Sequence, residues 1–234
     1  YNSDQTSYYR SSEVEAVIHK ALNYWFTAKP VCLNWWYNQI GIPKTLGTVF
    51  ILFEKQLTPV EKQNAITVME NAKFGMTGQN KVWLAGNVMM RALLQNDYEL
   101  VKMARDTIAS EIVTGGAEGI KDDWCFHQHG AQQQFGNYGL SFVSGMSFFS
   151  GLFSGTSLAF DDKQLSILSI LIDKGYRWVI WKGMMDVNAL GRQLFHHAPV
   201  HKALSLAFAT SELGGGESDE CMAVATALLR DNYP

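Results

Sequence analysis

The fold class is decided by residues 79–113, which read QNKVWLAGNVMMRALLQ over 79–95 and DYELVKMARDTIASEIV over 97–113. Both halves have the pattern of helices, and Asn96 between them allows only a very short turn. Two helices joined in this way form a helical hairpin. Strand signals elsewhere are weak, since the β-rich segment 176–181 stands isolated. The sequence therefore predicts a mainly α-helical chain built of helical hairpins.

Helix-start signals recur on both sides of this hairpin. Ser12 begins the sequence SEVE, a capping box with Glu15 three residues on, and Pro30 ends the helix that follows. The sequence TPVE, which starts at Thr58, repeats the signal with proline at the first helical position. Further helices are predicted over residues 47–53, 162–174 and 217–229.

One long segment, residues 139–160, carries no charge. Its 22 residues are enough to span a membrane, but ten of them are glycine or serine. So many small polar residues weaken insertion into a bilayer. We therefore predict a buried pair of helices, closely packed through small residues, and no membrane association.

The composition is that of a globular chain with a large core. Of the 234 residues 47% are hydrophobic and 18% are charged, which excludes disorder of the whole chain. A net charge of −3 excludes a sequence-wide basic surface for nucleic acid. Three scattered cysteines exclude a disulfide framework. Because the chain begins at Tyr1 without an apolar leader, we expect a mature chain or a piece of a longer protein.

The densest polar segment is residues 122–142, DDWCFHQHGAQQQFGNYGLSF. Polar side chains are costly to bury without partners, so this segment suits the lining of a wet cleft. The alternative is a hydrogen-bonded loop that ties two helices together. His127 and His129 could ligate a metal, but no acidic residue completes a known metal signature. We predict no metal site.

Three further segments contain candidate functional residues. Trp35 and Trp36 on a helix would point about 100° apart, so at least one is predicted to face a cleft or a partner. They could stack on sugar rings or pack between layers. Residues 77–80, TGQN, precede a helix and contain its predicted N-cap. Arg192 follows a glycine and is either a surface residue or a guanidinium fork for a carboxylate.

Taken in order, four motifs resemble polysaccharide lyase family 8. They are NWWYNQIGIPKTL, TGQN, FHQHGAQQQFGNYG and NALGRQ, and they span residues 34–193. Each motif alone is weak, but the ordered set is specific, with His129 and Tyr138 nine residues apart. Within the family, the chondroitin AC and hyaluronate lyases are the most similar group. Xanthan lyases are also members of the family.

The resemblance implies an all-α fold, an incomplete (α/α) toroid built of helical hairpins around a long cleft. Residues 1–234 would form a single domain, a piece that lacks the C-terminal β-sandwich domains of the family. The implied partners are an acidic polysaccharide and the downstream β-sandwich domain, without a cofactor. Secretion or a periplasmic location is also implied. We expect the chain to be weakly active or inactive without that domain.

The reaction implied is β-elimination of a uronic-acid-containing glycan, with chondroitin and hyaluronan as the first candidates. By resemblance, Asn80 and His129 donate hydrogen bonds to the uronate carboxylate. Tyr138 removes the C5 proton and protonates the leaving O4, and Arg192 favours the phenolate form of this tyrosine. The residues assigned to substrate binding are Trp35, Trp36, Phe74, Asn188 and His196. His196 stands where the family commonly has a second arginine.

Two other functions remain open. A non-catalytic module that binds acidic glycans would use the tryptophans without the chemistry. A hydrolase on the same fold needs two carboxylates about 5–10 Å apart. For that pair the dense polar segment offers only Asp122 and Asp123, and adjacent residues rarely form one.

Overall fold

The part of the chain that the structure describes is mainly helical. The computed structural model describes residues 1–213 together with Ala223, Thr226 and Ala227. The predicted helix at 217–229 falls almost entirely outside the described residues. Within them lie the helices α1 (Ser12–Ala28), α2 (Ile42–Leu52), α3 (Pro59–Met69), α4 (Gly78–Gln95), α5 (Tyr98–Ala109), α6 (Leu140–Phe153), α7 (Asp162–Ile170) and α8 (Ala198–Glu212). The prediction of an all-α chain is confirmed.

The strands are only two residues long. β1 (Gly119–Ile120) pairs antiparallel with β2 (Phe126–His127), and β3 (Ile180–Trp181) pairs antiparallel with β4 (Met184–Met185). Such short ladders fasten loops to each other rather than form a core.

The described chain packs into two compact units. The first comprises residues 1–75 and 83–105, and the second comprises residues 76–82 and the described residues from 106 onward. Helix α4 begins in the second unit and continues in the first.

The core of the first unit joins its helices through aliphatic and aromatic side chains. Phe26 of α1 stacks on Phe50 of α2, with 6.0 Å between the ring centroids. Gly47 permits a close approach between helices, because a Cβ there would lie 2.7 Å from the Met69 side chain of α3. The buried cluster comprises Leu22, Phe26, Phe50, Phe53, Ala65, Met69 and Leu94.

The predicted turn at Asn96 is confirmed. Asn96 has a φ of +54°, a left-handed conformation that asparagine tolerates better than most residues. The Asp97 carboxylate then accepts a hydrogen bond from the Leu100 N–H at 3.0 Å, which satisfies one of the free donors at the start of α5.

The predicted cap of α1 is wrong by one residue. Ser11, not Ser12, is the N-cap, and its hydroxyl accepts from the Val14 N–H. Glu15 does not close a capping box, since its carboxylate accepts a hydrogen bond from the Tyr1 hydroxyl at 2.6 Å. Ser11 and Ser12 can both act as an N-cap, and the contact of Tyr1 with Glu15 accompanies the use of Ser11.

In the second unit α6 packs on α8, which also contacts β4. Residues 139–160 contain one helix, α6, rather than the predicted pair, and the chain leaves helical geometry at Ser154. The isolated β-rich segment 176–181 contributes little strand, in agreement with its weak strand signal. Its first four residues form a 3₁₀ turn, and only the last two pair with a neighbouring strand. Among the described helices none combines the length and apolar character needed to cross a bilayer.

The capping box predicted at Thr58 is confirmed and extends to a histidine. The Glu61 carboxylate accepts from the Thr58 N–H at 2.9 Å and lies 2.8 Å from His19 Nδ1. The side chain is only 3% exposed. Burial acts to raise the pKa of Glu61, but the hydrogen bonds from Thr58 and His19 outweigh it, and the pKa falls below its ordinary value.

We expect Glu61→Gln to destabilise the protein by about 1–3 kcal/mol near neutral pH. A lowered folded-state pKa stabilises the native state above the unfolded value of 4.5, and this contribution disappears as the pH falls through the folded value. The difference in the free energy of unfolding between the variant and the wild type, measured by urea unfolding, should therefore become smaller near pH 3. The exposed Glu70→Gln at the other end of α3 serves as the control. A difference in the free energy of unfolding that is equally large at neutral pH and at pH 3 would contradict this account.

Candidate active site

Asn80 lies in the first turn of α4. The helix is anchored there by backbone donors: the Gly78 N–H donates to Glu111 Oε2 at 2.7 Å, and the Gln79 N–H donates to Gln128 Oε1 at 2.9 Å. Asn80 is 6% exposed, and its Oδ1 is buried without a hydrogen-bond partner among the described residues. A buried polar atom of this kind is a feature of sites that await a ligand or water.

His129 lies in the loop that follows β2. Its backbone is left-handed, with a φ of +61°, and Gly130 continues the turn with a φ of +75°. The side chain is exposed, and its Nε2 lies 3.0 Å from the Tyr138 hydroxyl. A non-glycine residue in this conformation is held there only by its surroundings.

Tyr138 lies in a π-helical turn, Phe135–Gly139, that leads into α6. The residue is 7% exposed, and its hydroxyl is reached by His129 and Arg192. Such π-helical turns occur frequently at functional sites.

Two glycines let other chain segments approach the Tyr138 turn. A Cβ at Gly136 would lie 2.8 Å from the Leu190 backbone, and a Cβ at Gly139 would overlap the Tyr176 hydroxyl. That hydroxyl donates to the Phe135 carbonyl at 3.1 Å, and burial raises the pKa of Tyr176 well above its ordinary value. The turn is thus held from inside by a permanently neutral phenol.

Arg192 completes the contact set around the Tyr138 oxygen. Its Nη2 donates to the Tyr138 hydroxyl at 2.7 Å and lies 3.2 Å from His129 Nε2. The guanidinium carbon is 5.4 Å from the centre of the phenol ring. Gly191, with a φ of +69°, makes the turn that presents this side chain. A cation bonded directly to a phenol oxygen stabilises the phenolate.

The structure thus brings three of the four predicted catalytic residues into direct contact. Tyr138, His129 and Arg192 form a triangle of polar atoms with sides of 3.0, 2.7 and 3.2 Å. Asn80 is connected to this triangle less directly, since its neighbour Gln79 is bonded to Gln128, which precedes His129.

Asn188 and His196 are exposed and lie outside this triangle. The Asn188 N–H donates to Asp186 Oδ1 at 2.7 Å, which shapes the turn before Arg192. The His196 ring lies 3.7 Å from the ring of His197. In the described part of the chain neither side chain is hydrogen-bonded to the triangle.

The predicted aromatic residues belong to the first unit. Trp35 is 42% exposed, which confirms that at least one of the adjacent tryptophans faces away from the core. Trp36 is half-buried and packs edge-on against Trp83 of α4, at 5.5 Å between ring centroids. Lys44 Nζ lies over the Trp83 ring, 5.5 Å from its centre. Burial lowers the pKa of Lys44. Phe74 is exposed.

Sequence reasoning missed the groups that hold the site together. Gln128 was within the dense polar segment but carried no assigned role. Glu111 and Glu118 lie in an ordinary helix end and loop, where a carboxylate gives no signal. Among the described residues no group of three or more histidine, cysteine or carboxylate side chains could hold a metal ion.

The family model "Polysaccharide lyase family 8, N terminal alpha-helical domain" matches residues 1–211. The chain belongs to polysaccharide lyase family 8.

Individual relatives agree with the family model. The chain is 30% identical to a chondroitinase-AC from Pedobacter heparinus over 197 residues, which covers 82% of this chain and 28% of that protein. It is 26% identical to a xanthan lyase from a Bacillus species over 201 residues, covering 81% of this chain and 22% of that protein. The solved structure of a chondroitinase AC lyase aligns with a TM-score of 0.84 at 26% identity, covering all of this chain and 35% of that one. The chain spans about a quarter of the length of the curated relatives it matches.

Proposed function

We propose that this chain is the helical catalytic part of a lyase that cleaves a uronic-acid-containing glycan by β-elimination, with chondroitin or hyaluronan as the first candidates. One observation carries the proposal: the Tyr138 hydroxyl lies 3.0 Å from His129 Nε2 and 2.7 Å from Arg192 Nη2. A phenol held between a cation and an imidazole is suited to moving a proton. Membership of the family, and the names of the relatives, support the same chemistry.

The first task of such a site is to neutralise the substrate carboxylate. The proton at C5 of a uronate lies beside this group, whose negative charge opposes formation of a carbanion. Asn80 and His129 would donate hydrogen bonds that strengthen as charge moves onto the carboxylate. Asn80 is in the first turn of the 18-residue helix α4, where the positive end of the helix dipole also favours an anion.

The second task is the transfer of the proton. In its phenolate form Tyr138 would take the C5 proton, and the electrons of the C5–H bond would form the C4–C5 double bond as the C4–O4 bond breaks. The proton would then pass from Tyr138 to the leaving O4. Arg192 Nη2, which lies 2.7 Å from the Tyr138 hydroxyl, would bond to the phenolate oxygen before the transfer.

The exposed aromatic residues supply a binding surface. Trp35 and Phe74 present rings to solvent, as sugar-binding platforms do. We assign Trp36, Asn188 and His196 to the same role. Because His196 replaces an arginine of the family pattern, it would carry less positive charge at neutral pH.

The resemblance implies this replacement, which favours a second function, a non-catalytic module that binds acidic glycans. Such a module would keep the tryptophans and lose turnover.

The hydrolase hypothesis is disfavoured by the environment of Asp123. The Cys125 N–H donates to its carboxylate at 3.0 Å, and this backbone hydrogen bond lowers the pKa of Asp123. A glycosidase needs one carboxyl group with a raised pKa to act as the acid. Asp122 and Asp123 are moreover both exposed.

The wider architecture is part of the proposal. The relatives are about three to four times as long as this chain, which supports the proposal of a downstream β-sandwich domain. We also propose secretion or a periplasmic location, where acidic polysaccharides are accessible.

The test is to offer chondroitin, hyaluronan and xanthan to the protein with its downstream region and to record ultraviolet absorbance. We expect a rise from the 4,5-unsaturated uronate with at least one polymer, which names the substrate. Retention on an immobilised acidic glycan without any rise, from a folded protein, would instead establish the binding module.

A further inference from the structure

Glu118, in the loop between α5 and β1, bonds to both segments that carry the proposed carboxylate donors. Its Oε2 accepts from the Thr77 hydroxyl at 2.6 Å and from Gln128 Nε2, and its Oε1 accepts from the Gly130 N–H at 3.1 Å. We propose that Glu118 is a positioning residue that holds Asn80 and His129 in register for a single carboxylate. This inference rests on the function proposed above.

On the His129 side, Glu118 holds both chain neighbours of the histidine. Gln128 and Gly130 are each hydrogen-bonded to the carboxylate. The left-handed backbone of His129 is unfavourable for a residue with a side chain, and it persists only where neighbours fix it. The carboxylate therefore fixes the turn that directs the imidazole toward Tyr138.

On the Asn80 side, Glu118 acts through Gln128. This glutamine is 1% exposed, and its two amide ends face different partners. A carboxylate can only accept, so the amide nitrogen must face Glu118, and the amide oxygen then accepts from the Gln79 N–H at 2.9 Å. The Thr77 hydroxyl fastens the residues before α4 to the same carboxylate.

Close packing makes this connection sensitive to small shifts. A Cβ at Gly78 would overlap Gln128 Oε1, so the start of α4 lies directly against the amide. Donors that act together on one developing charge must be placed before the reaction begins. Without the carboxylate the Gln128 Nε2 keeps only its 3.4 Å contact with the Thr77 carbonyl, and the first turn of α4 and the His129 loop are held together less firmly.

The experiment uses the protein with its downstream region and the variants Glu118→Ala, Glu118→Gln and Glu99→Gln. Glu118→Ala should lower kcat about 10–100-fold with little change of KM, as loss of groups that orient reacting residues does. Glu118→Gln should be intermediate, because its amide oxygen still accepts. Glu99 is an exposed residue of α5, and its variant is the matched control.

Two readouts separate positioning from a simple loss of folded enzyme. With substrate deuterated at C5, the kinetic isotope effect should rise in Glu118→Ala, because proton abstraction becomes slower relative to the other steps. A smaller folded fraction would leave the isotope effect unchanged. Amide hydrogen exchange at Gln79, whose N–H does not touch Glu118, should also accelerate in Glu118→Ala but not in the control.

The inference is overturned if Glu118→Ala matches the wild type in kcat and in exchange at Gln79. It is equally overturned if kcat falls while the isotope effect and that exchange stay constant. A wild-type protein that eliminates no polymer would refute the proposed function, and exchange at Gln79 would still decide whether Glu118 holds the two segments together.

Discussion

Tyr138→Phe is expected to reduce β-elimination by a factor of about 10³ or more, because one hydroxyl serves as both base and acid. The variant retains the ring and its packing, and loses only the oxygen that lies between His129 and Arg192. Initial rates of absorbance increase on the best polymer, measured with the downstream region present, provide the comparison.

Tyr176→Phe is the matched control for this prediction. Tyr176 is a fully buried tyrosine of the same unit, and its hydroxyl donates to a backbone carbonyl. Losing that hydrogen bond should cost about 1 kcal/mol of stability and leave most of the activity. If Tyr138→Phe retained activity comparable to that of the control, Tyr138 would not be the base.

Arg192→Met is expected to lower kcat about 10²–10³-fold, as removal of a donor aimed at a charged reacting group does. Methionine retains much of the side-chain volume and removes the charge next to the phenol oxygen. The kcat of Arg192→Lys should fall between those of Arg192→Met and the wild type, because lysine keeps the charge but loses the planar fork.

A second exposed arginine of the same unit controls for the loss of surface charge. Arg177 pairs with Asp173 one helical turn away, at 3.1 Å, and Arg177→Met should leave turnover unchanged. Turnover of Arg192→Met as high as that of Arg177→Met would argue against a role for Arg192 at the Tyr138 oxygen.

Much of the helical fold follows from interactions between residues close in sequence, which is why it could be predicted. The Thr58 box, the turn at Asn96 and the helices around it were located correctly, because capping and periodicity act within about one turn. One error arose where two local solutions were equally good, since Ser11 and Ser12 are both good caps. Another arose in residues 139–160, where the chain leaves helical geometry at Ser154 and one helix forms instead of the predicted pair.

The sequence by itself determined the residue types of the site, since the tyrosine, the two histidines and the amides of residues 122–142 form a recognisable polar segment. Only the tertiary structure decided that Arg192 reaches Tyr138 from 54 residues away, through close packing that Gly136 allows. Only the tertiary structure selected Glu118 from among the carboxylates of the chain. The reason is physical: a side chain's chemistry is local, but its hydrogen-bond partners are set by segments that meet only after the helices pack.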